Sequence, residues 1–153
     1  MRGMCKGQGN RMRLILPALS VNEGVARAAI GVFCGQCDPS TTELADVKCA
    51  VSEAVTNCIV HAYREGEGGG NIYISVRIVR AGEVRIAIRD RGCGIPDVRR
   101  AREPLFTTDA EGERSGMGFT VMENFMDRLS VRSKPGRGTL IVMYKRFGGG
   151  CGD

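Results

Sequence analysis

Hydrophobic and polar residues alternate along several short segments of the chain, and a period of two is typical of strands with one buried face. The alternation is clearest in 72–78 and 84–88. Ala81-Gly82 lies between these segments and suits a tight turn, so the pair predicts a β-hairpin. Three further strands are predicted at 11–16, 129–133 and 139–144.

Other segments carry apolar residues at helical spacing. In 22–37, Val25, Ala29, Val32 and Phe33 share one face, which predicts a helix that packs through that face. A longer apolar stripe predicts a second helix that begins at a threonine cap, Thr41 or Thr42, and runs to about residue 63. Further helices are predicted at 97–102 and 117–126.

The order of these elements predicts an α+β sandwich of two layers, with helices on one face of a largely antiparallel sheet. A length of 153 residues favours one domain. We expect a flexible N-terminus over 1–10, a folded domain over 11–147 and a disordered glycine-rich tail over 148–153.

Composition narrows the class of protein. Hydrophobic content of 42% and charged content of 25% are ordinary for a soluble globular domain. No apolar run is long enough to span a membrane, and the basic N-terminus lacks the apolar core of a secretory signal. We therefore expect a cytoplasmic protein without membrane contact.

Seven cysteines, an odd number at irregular spacing, indicate free thiols in a reducing compartment. Cys34 and Cys37 form a CxxC pair, but no second pair or nearby histidine completes a zinc site. The net charge of +5 suits nucleic acid, a nucleotide or an acidic protein. Because the arginines are scattered along the chain, we expect a solvated surface and no direct nucleic-acid contact.

Three polar segments carry candidate chemistry. Glu53, Asn57 and His61 lie at i, i+4 and i+8 of the second predicted helix and share one stripe beside its apolar face. Taken alone, this stripe is typical of an exposed polar face, and His61 is more typical of a structural residue than of a catalytic one.

Glycines mark the other two segments. Asp90-x-Gly92-x-Gly94 places an acid at a strand end, followed by glycines that let backbone approach a ligand closely. Gly116-x-Gly118 leads into a helix, whose free N–H groups favour anions such as phosphate. Each segment alone is also typical of an ordinary turn.

Together, in this order, the three segments resemble the GHKL ATPase superfamily, which includes DNA gyrase and histidine kinases. Glu53 and Asn57 resemble its N box, and the two glycine segments resemble its glycine boxes. More closely, 51–57, 104–108 and 113–127 resemble the anti-sigma F factor family of endospore-forming bacteria, and this resemblance extends over about 11–144. It implies the GHKL (Bergerat) sandwich, with 107–115 as the lid over the nucleotide.

The resemblance implies a role for each matching residue. Glu53 would be the general base, Asn57 would supply an oxygen to Mg²⁺, and Asp90 would accept a hydrogen bond from the adenine amino group. Arg114 would reach the γ-phosphate, and Arg27 would contact a sigma factor. An acid, Asp109, stands where many relatives have a lid lysine, so Arg114 would carry more of the charge. The remaining nucleotide-binding positions would be Gly92, Gly94, Ile95, Thr107, Thr108, Ser115, Gly116, Met117, Gly118 and Thr139.

The function implied is that of a dimeric anti-sigma factor and serine protein kinase that uses ATP and Mg²⁺ and also binds ADP. It would hold a sporulation sigma factor away from RNA polymerase and phosphorylate an anti-anti-sigma factor. Three alternatives remain at this point: an ATP-gated sigma-binding module without kinase activity, the related general-stress anti-sigma kinase, and the catalytic domain of a histidine kinase. The last would need an acceptor histidine, and His61 is the only histidine.

Overall fold

A computed structural model of the chain describes residues 9–63, 69–104 and 117–148. The first helix runs on into a 3-10 turn, Gly35–Cys37, and the second into a π-helical turn, Cys58–Ala62. The elements in chain order are β1 (Arg11–Pro17), α1 (Val21–Cys34), α2 (Thr41–Asn57), β2 (Asn71–Arg80), β3 (Glu83–Arg89), α3 (Val98–Ala101), α4 (Gly118–Phe125), β4 (Arg128–Lys134) and β5 (Gly138–Arg146).

The five strands form one antiparallel sheet in the order β1-β2-β3-β5-β4. The predicted hairpin of β2 and β3 is present, and β4 and β5 form a second hairpin. β3 pairs with β5, although α3, α4 and β4 lie between them in the chain. The predicted α+β class with a mostly antiparallel sheet is therefore confirmed.

The core lies between one face of this sheet and the helices. Ile72, Ile74, Val76 and Ile78 alternate along β2 and are each at most 2% exposed. They belong to one apolar cluster with side chains of α2 that include Val47, Val51 and Val55, all fully buried. Burying each such side chain stabilises the fold by about 1.5–3 kcal/mol relative to its exposure, so this layer positions α2 firmly on the sheet.

The start of α2 corrects one prediction. Its N-cap is Ser40 and neither of the two predicted threonines. Ser40 has extended backbone, its hydroxyl accepts a hydrogen bond from the Glu43 N–H at 3.1 Å, and the Glu43 carboxylate accepts one from the Ser40 N–H at 2.8 Å. This reciprocal capping box explains why α2 begins directly after Ser40. The restricted backbone of Pro39 limits the conformation of the chain just before the cap.

The buried face of α1 corrects a second prediction. Val25 and Val32, which were expected to pack, are 49% and 80% exposed, and Phe33 alone of the predicted large residues is buried. The face that packs is formed by Ala26, Ile30, Phe33 and Cys34. Apolar residues occur on most sides of α1, so the sequence pattern is compatible with more than one buried face. Contact with α2 decides which of these faces is buried.

The cysteines agree with the prediction of free thiols. Those in the described ranges, Cys34, Cys37, Cys49, Cys58 and Cys93, form no disulfide. Burial raises the pKa of Cys34 to about 12, with a smaller contribution from Cys37, so this thiol packs as a small apolar group. No helix within 9–63, 69–104 or 117–148 is long and apolar enough to cross a membrane.

The predicted segment 1–10 and the tail 148–153 fall almost wholly outside the described residues, and the lid at 107–115 falls entirely outside them. The domain limits therefore stay predictions.

Candidate functional site

The polar stripe of α2 meets the start of α4. A Cβ atom built on Gly118, the first residue of α4, would lie 3.2 Å from Glu53 Oε2 and 3.5 Å from both terminal atoms of Asn57. Glu53 and Asn57 lie one turn apart on α2, and both are half-buried. A carboxylate, an amide and a helix N-terminus therefore converge at one point, and Gly118 leaves room for their close approach.

The N-terminus of α4 is suited to an anion. Met117 is its N-cap and provides no side-chain cap, and no other side chain in the described part of the chain takes that role. The first N–H groups of a helix lack partners within the helix, and the helix dipole adds partial positive charge there. This end of α4 can therefore hold a phosphate group beside Glu53 and Asn57.

Beyond Asn57, the π-helical turn at Cys58–Ala62 changes the path of the chain. Such turns widen a helix and are frequent at functional sites. Here the turn directs the Cys58 thiol to Asp90, with Sγ 3.6 Å from Oδ2, and the Ala62 carbonyl accepts a hydrogen bond from the Cys93 N–H at 2.8 Å. The end of α2 thus joins the Glu53–Asn57 cluster to the loop that follows β3.

Asp90 lies at the end of β3 and is 5% exposed. Its Oδ1 accepts hydrogen bonds from the backbone N–H groups of Gly92 at 3.0 Å and Thr139 at 3.2 Å. Burial raises the pKa of Asp90, while the hydrogen bonds from Gly92, Cys58 and Thr139 act in the opposite direction. These three donors hold the carboxylate in one orientation, so it can accept a hydrogen bond from a ligand in a fixed direction.

The glycines after Asp90 allow the loop to pack closely against two other segments of the backbone. A Cβ on Gly92 would lie 2.0 Å from the Ala62 carbonyl oxygen. Gly94 has a φ of +76°, and a Cβ there would lie 2.1 Å from the Lys134 carbonyl oxygen. Ile95 donates its N–H to the Ser133 hydroxyl at 2.7 Å. The close approach expected of these glycines is therefore present, but in the structure it is made to Ala62 and Lys134.

Thr139 lies at the start of β5, opposite Asp90. Its carbonyl accepts the Asp90 N–H at 3.0 Å, and its hydroxyl lies 2.8 Å from the Ser133 hydroxyl. Ser133 can donate its single proton to the Gly138 carbonyl at 2.9 Å, and either hydroxyl can be the donor between Ser133 and Thr139. In either case a lone pair of Thr139 Oγ1 remains able to accept a hydrogen bond beside Asp90.

Three residues of this arrangement were missed by sequence reasoning: Cys58, Ser133 and Gly138. Gly138 has a φ of +93°, and a Cβ there would lie 2.2 Å from the Asp90 carbonyl oxygen. A signal for Gly138 was present in Gly136-Arg137-Gly138, a further pair of glycines directly before a strand. Cys58 and Ser133 gave no signal, since both acquire their roles through contacts distant in sequence.

The predicted nucleotide-site residues fall into two clusters and a set outside the described ranges. Glu53, Asn57, Met117 and Gly118 form one cluster, and Asp90, Gly92, Gly94, Ile95 and Thr139 form the other. Thr107, Thr108, Arg114, Ser115 and Gly116 lie outside the described residues.

Arg27 belongs to neither cluster. It lies on α1, with its side chain 46% exposed, and pairs with Glu23 at 2.8 Å. The same guanidinium lies 3.5 Å from the Ser52 hydroxyl on α2. Arg27 therefore points outward, as expected, and is also anchored to its neighbours.

A metal site of several protein ligands is absent from the described ranges, where no group of three His, Cys, Asp or Glu residues converges. Mg²⁺ usually keeps several waters and takes few protein ligands besides substrate phosphates. The single amide oxygen of Asn57, next to the anion-binding end of α4, fits that requirement.

Comparison with known proteins identifies the class that this fold and site define. Residues 16–145 match the model of the histidine kinase-like ATPase domain. Among solved structures, the RsbU and RsbW domains of a Mycobacterium tuberculosis protein share the fold, with a TM-score of 0.61 at 18% identity over 90% of this chain and 32% of that chain.

Curated relatives narrow the class further. The chain is 53% identical to an anti-sigma F factor of Bacillus licheniformis over 90% of this chain and 93% of the relative. It is 49% identical to an anti-sigma F factor of Pasteuria penetrans over 90% of this chain and 91% of that relative. The chain belongs to the anti-sigma F factor family within the histidine kinase-like ATPases.

Proposed function

We propose that this protein binds ATP with Mg²⁺, transfers the γ-phosphate to a serine of an anti-anti-sigma factor, and holds a sporulation sigma factor away from RNA polymerase. The observation that carries the proposal is the meeting of Glu53 and Asn57 at the N-terminus of α4. Nucleotide binding alone needs no carboxylate beside a phosphate, where it would repel the ligand, whereas phosphotransfer to a hydroxyl uses one as a base.

In the proposed reaction each residue has one role. The Asp90 carboxylate accepts a hydrogen bond from the adenine amino group, and Thr139 assists beside it. The first turn of α4 binds phosphate, and Asn57 provides an oxygen ligand to Mg²⁺. Bound Mg²⁺ would neutralise the charge of the phosphates. Arg114 would reach the γ-phosphate from the lid. Thr107, Thr108 and Ser115 of the lid, with Gly116 of the second glycine box, would contact the nucleotide.

Glu53 then accepts the proton of the serine hydroxyl while the serine oxygen bonds to the γ-phosphorus. The bond between that phosphorus and the β–γ bridging oxygen breaks, and ADP leaves with the bridging oxygen. The products are phosphoserine and ADP, and the proton on Glu53 returns to solvent. Positioning and charge neutralisation supply most of the rate enhancement in reactions of this kind.

The sigma-binding surface of the proposal includes Arg27, which is exposed on α1 and held by Glu23. Its support is the family membership, since the relatives at about half identity are named anti-sigma F factors. The same names favour a sporulation sigma factor over a general-stress one, and we propose that the protein acts in the cytoplasm.

The proposal also includes a homodimer. Leu19, Val21 and Val25 are 53%, 75% and 49% exposed and lie close in sequence just before and at the start of α1. Exposed apolar residues gathered in one region are typical of protein interfaces, and β1 is an edge strand. A second copy of the chain would cover this region.

The experiment that tests the function is incubation of the protein with γ-labelled ATP and the candidate anti-anti-sigma protein, followed by mapping of the phosphorylated residue. We expect label on one serine of the antagonist. Label on histidine would indicate a histidine kinase. Absence of transfer, together with ATP-dependent retention of the sigma factor, would favour the ATP-gated binding module.

A further inference from the structure

The register of the sheet gathers arginines that are scattered in the sequence. Residues paired directly across antiparallel strands point to the same face. One such row crosses the whole sheet and consists of Arg11, Arg77, Arg85, Tyr144 and Arg128. Four residues further along β1, a second row consists of Ile15, Tyr73, Arg89, Leu140 and Arg132. Arg13 lies between the two rows.

This face is the one opposite the helices. The residues that alternate with these arginines, such as Ile74, Val76, Ile86 and Ile88, are buried in the core. Six of the seven arginines are exposed and Arg85 is half-buried, so their guanidinium groups lie at the open surface of the sheet. We call the seven residues Arg11, Arg13, Arg77, Arg85, Arg89, Arg128 and Arg132 the arginine face.

The charge of the arginine face is scarcely compensated. Arg13 belongs to a third row with Ser75, Ala87, Val142 and Ser130, and none of the three rows contains an acidic residue. Among the described residues, Arg128 is the one member of the arginine face that pairs with an acid, Glu83 at 3.4 Å. Arg11, Arg13, Arg77, Arg89 and Arg132 form no ion pair with any residue in 9–63, 69–104 or 117–148. Arg77 faces Arg11 on one side and Arg85 on the other, and like charges directly opposite are destabilising.

We propose that the arginine face binds the phosphate backbone of nucleic acid, independently of its sequence. The face extends over about 19 Å across five strands and about 14 Å along them. Each strand of duplex DNA carries one negative charge per about 3.4 Å of the axis, so a single strand places roughly five or six phosphates along that length. The planar guanidinium group suits phosphate because it can donate two parallel hydrogen bonds to it.

An acidic polypeptide matches the face less well. An extended strand presents one side chain to a given surface every ~6.8 Å, which provides about three carboxylates over the same length. The expectation of no direct nucleic-acid contact depended on the arginines being scattered along the chain, and the sheet brings them together. The proposal does not depend on the proposed kinase activity, because the face is separate from the clusters around Glu53 and Asp90.

The test is fluorescence anisotropy with a labelled duplex oligonucleotide, in excess ADP so that the candidate nucleotide site cannot account for binding. Neutralising five phosphates predicts a slope of about −4.5 for log K against log salt, which is a loss of several hundred-fold between about 50 and 200 mM. Arg11→Gln/Arg77→Gln should reduce the slope to about −2.7 and weaken binding roughly tenfold or more at the lower salt.

Arg99→Gln/Arg137→Gln is the matched control, since it removes the same charge from exposed residues of α3 and the β4–β5 turn. It should bind as the wild type does. Thermal unfolding of the Arg11/Arg77 variant should show no loss of stability, because a repulsive pair is removed. Equal weakening by both double variants, or no binding by the wild type at low salt, would overturn the proposal. Displacement of the oligonucleotide by poly-L-glutamate at equal charge concentration would assign the face to acidic polypeptides and overturn it also.

Discussion

Glu53 and Asn57 are separated by one helical turn and converge on the same glycine, yet they differ in what each can do for a bound nucleotide. A carboxylate can take a proton, whereas an amide can provide an oxygen ligand but cannot act as a base at neutral pH. The proposed division between base and metal ligand is therefore testable by substitutions that alter one property at a time.

Glu53→Gln keeps the size and hydrogen-bonding reach of the side chain but removes the base. We expect ATP affinity to be retained or increased, because a charge that repels phosphate is removed, and phosphotransfer to fall by at least about a hundredfold. Asn57→Ala should weaken ATP·Mg²⁺ binding as well as transfer, because the oxygen ligand is lost. Titration calorimetry and a γ-label assay on both variants measure the two effects. Wild-type transfer by Glu53→Gln would show that Glu53 is not the base.

The proposed contact between Asp90 and adenine would make nucleotide binding dependent on pH. Burial raises its pKa, and protonation would turn one acceptor oxygen into a donor that faces the adenine amino group. ATP affinity should therefore fall as the pH decreases through this raised pKa, at a pH above the ordinary aspartate range of about 3.9. Cys58 donates to Asp90 Oδ2 and opposes the increase, so Cys58→Ala should move the loss of affinity to higher pH.

Affinity measured by calorimetry between about pH 4 and pH 7 checks this prediction, a range that extends above the ordinary pKa of aspartate. Cys58→Ser should restore the wild-type profile, because a hydroxyl can donate the same hydrogen bond. Cys49→Ala is the control, since that exposed thiol has no contact with Asp90. An unchanged profile for Cys58→Ala would mean that the thiol does not influence the carboxylate.

At the scale of elements, local pattern and distant contact contributed to different parts of the fold. Alternation located β2 and β3, because a period of two depends only on neighbouring residues. The prediction for the buried face of α1 was wrong, because Val25 and Ile30 are both apolar and the sequence does not show which of them is buried. Contact with α2 buries Ile30 and leaves Val25 exposed. The partners of Asp90, which include Thr139 and Cys58, depend on the pairing of β3 with β5 and on the π-helical turn, and neither has a local signature.

The β4–β5 hairpin provides a matched pair of glycines for testing how the Asp90 site is held. Both Gly136 and Gly138 have positive φ, but a Cβ on Gly136 meets nothing within 4 Å, whereas one on Gly138 would lie 2.2 Å from the Asp90 carbonyl oxygen. Gly136→Ala should cost about 1–2 kcal/mol from its backbone conformation alone. Gly138→Ala should cost about 1–3 kcal/mol more from the displaced neighbour.

Urea denaturation gives both free energies of unfolding, and titration with ATP shows the effect on the site. Only Gly138→Ala should reduce ATP affinity, because it alone displaces the backbone of Asp90. Equal losses of stability and affinity in the two variants would mean that positive φ, and not the contact with Asp90, is what matters.

The surface of α1 provides a second prediction at this scale. Arg27→Ala should weaken capture of the sigma factor in a pull-down while leaving ATP affinity unchanged, since Arg27 lies in neither cluster of the site. We expect the loss of binding free energy for the sigma factor to be larger than the contribution of the exposed Arg27–Glu23 ion pair to folding stability, which is a fraction of a kcal/mol. Arg99→Ala, on α3, is the control, and sigma capture unchanged in Arg27→Ala would show that Arg27 is only a solvated helix residue.

At the scale of the whole molecule, the described part of the protein has three distinct surfaces. The candidate nucleotide site lies at the end of α2, the arginine face covers the open side of the sheet, and exposed apolar residues lie at the start of α1. Because they involve different residues, variants of each can be studied without direct change to the others. The apolar surface is the one through which we propose that the protein forms a dimer.

Val21 and Val25 lie one turn apart on α1 and are 75% and 49% exposed, so both would be buried if a second copy covers this region. Val21→Lys/Val25→Lys places two charges in that interface, and burying an unpaired charge is strongly unfavourable. We expect the dimer dissociation constant to rise by roughly tenfold or more, which corresponds to at least about 1.4 kcal/mol. Sedimentation velocity over a range of protein concentrations measures it. Val60→Lys, at an apolar residue that is 37% exposed beyond α2, should leave the dimer unchanged. A wild-type protein that is monomeric at every concentration, or an equal loss in Val60→Lys, would remove this surface of α1 as the site of self-association.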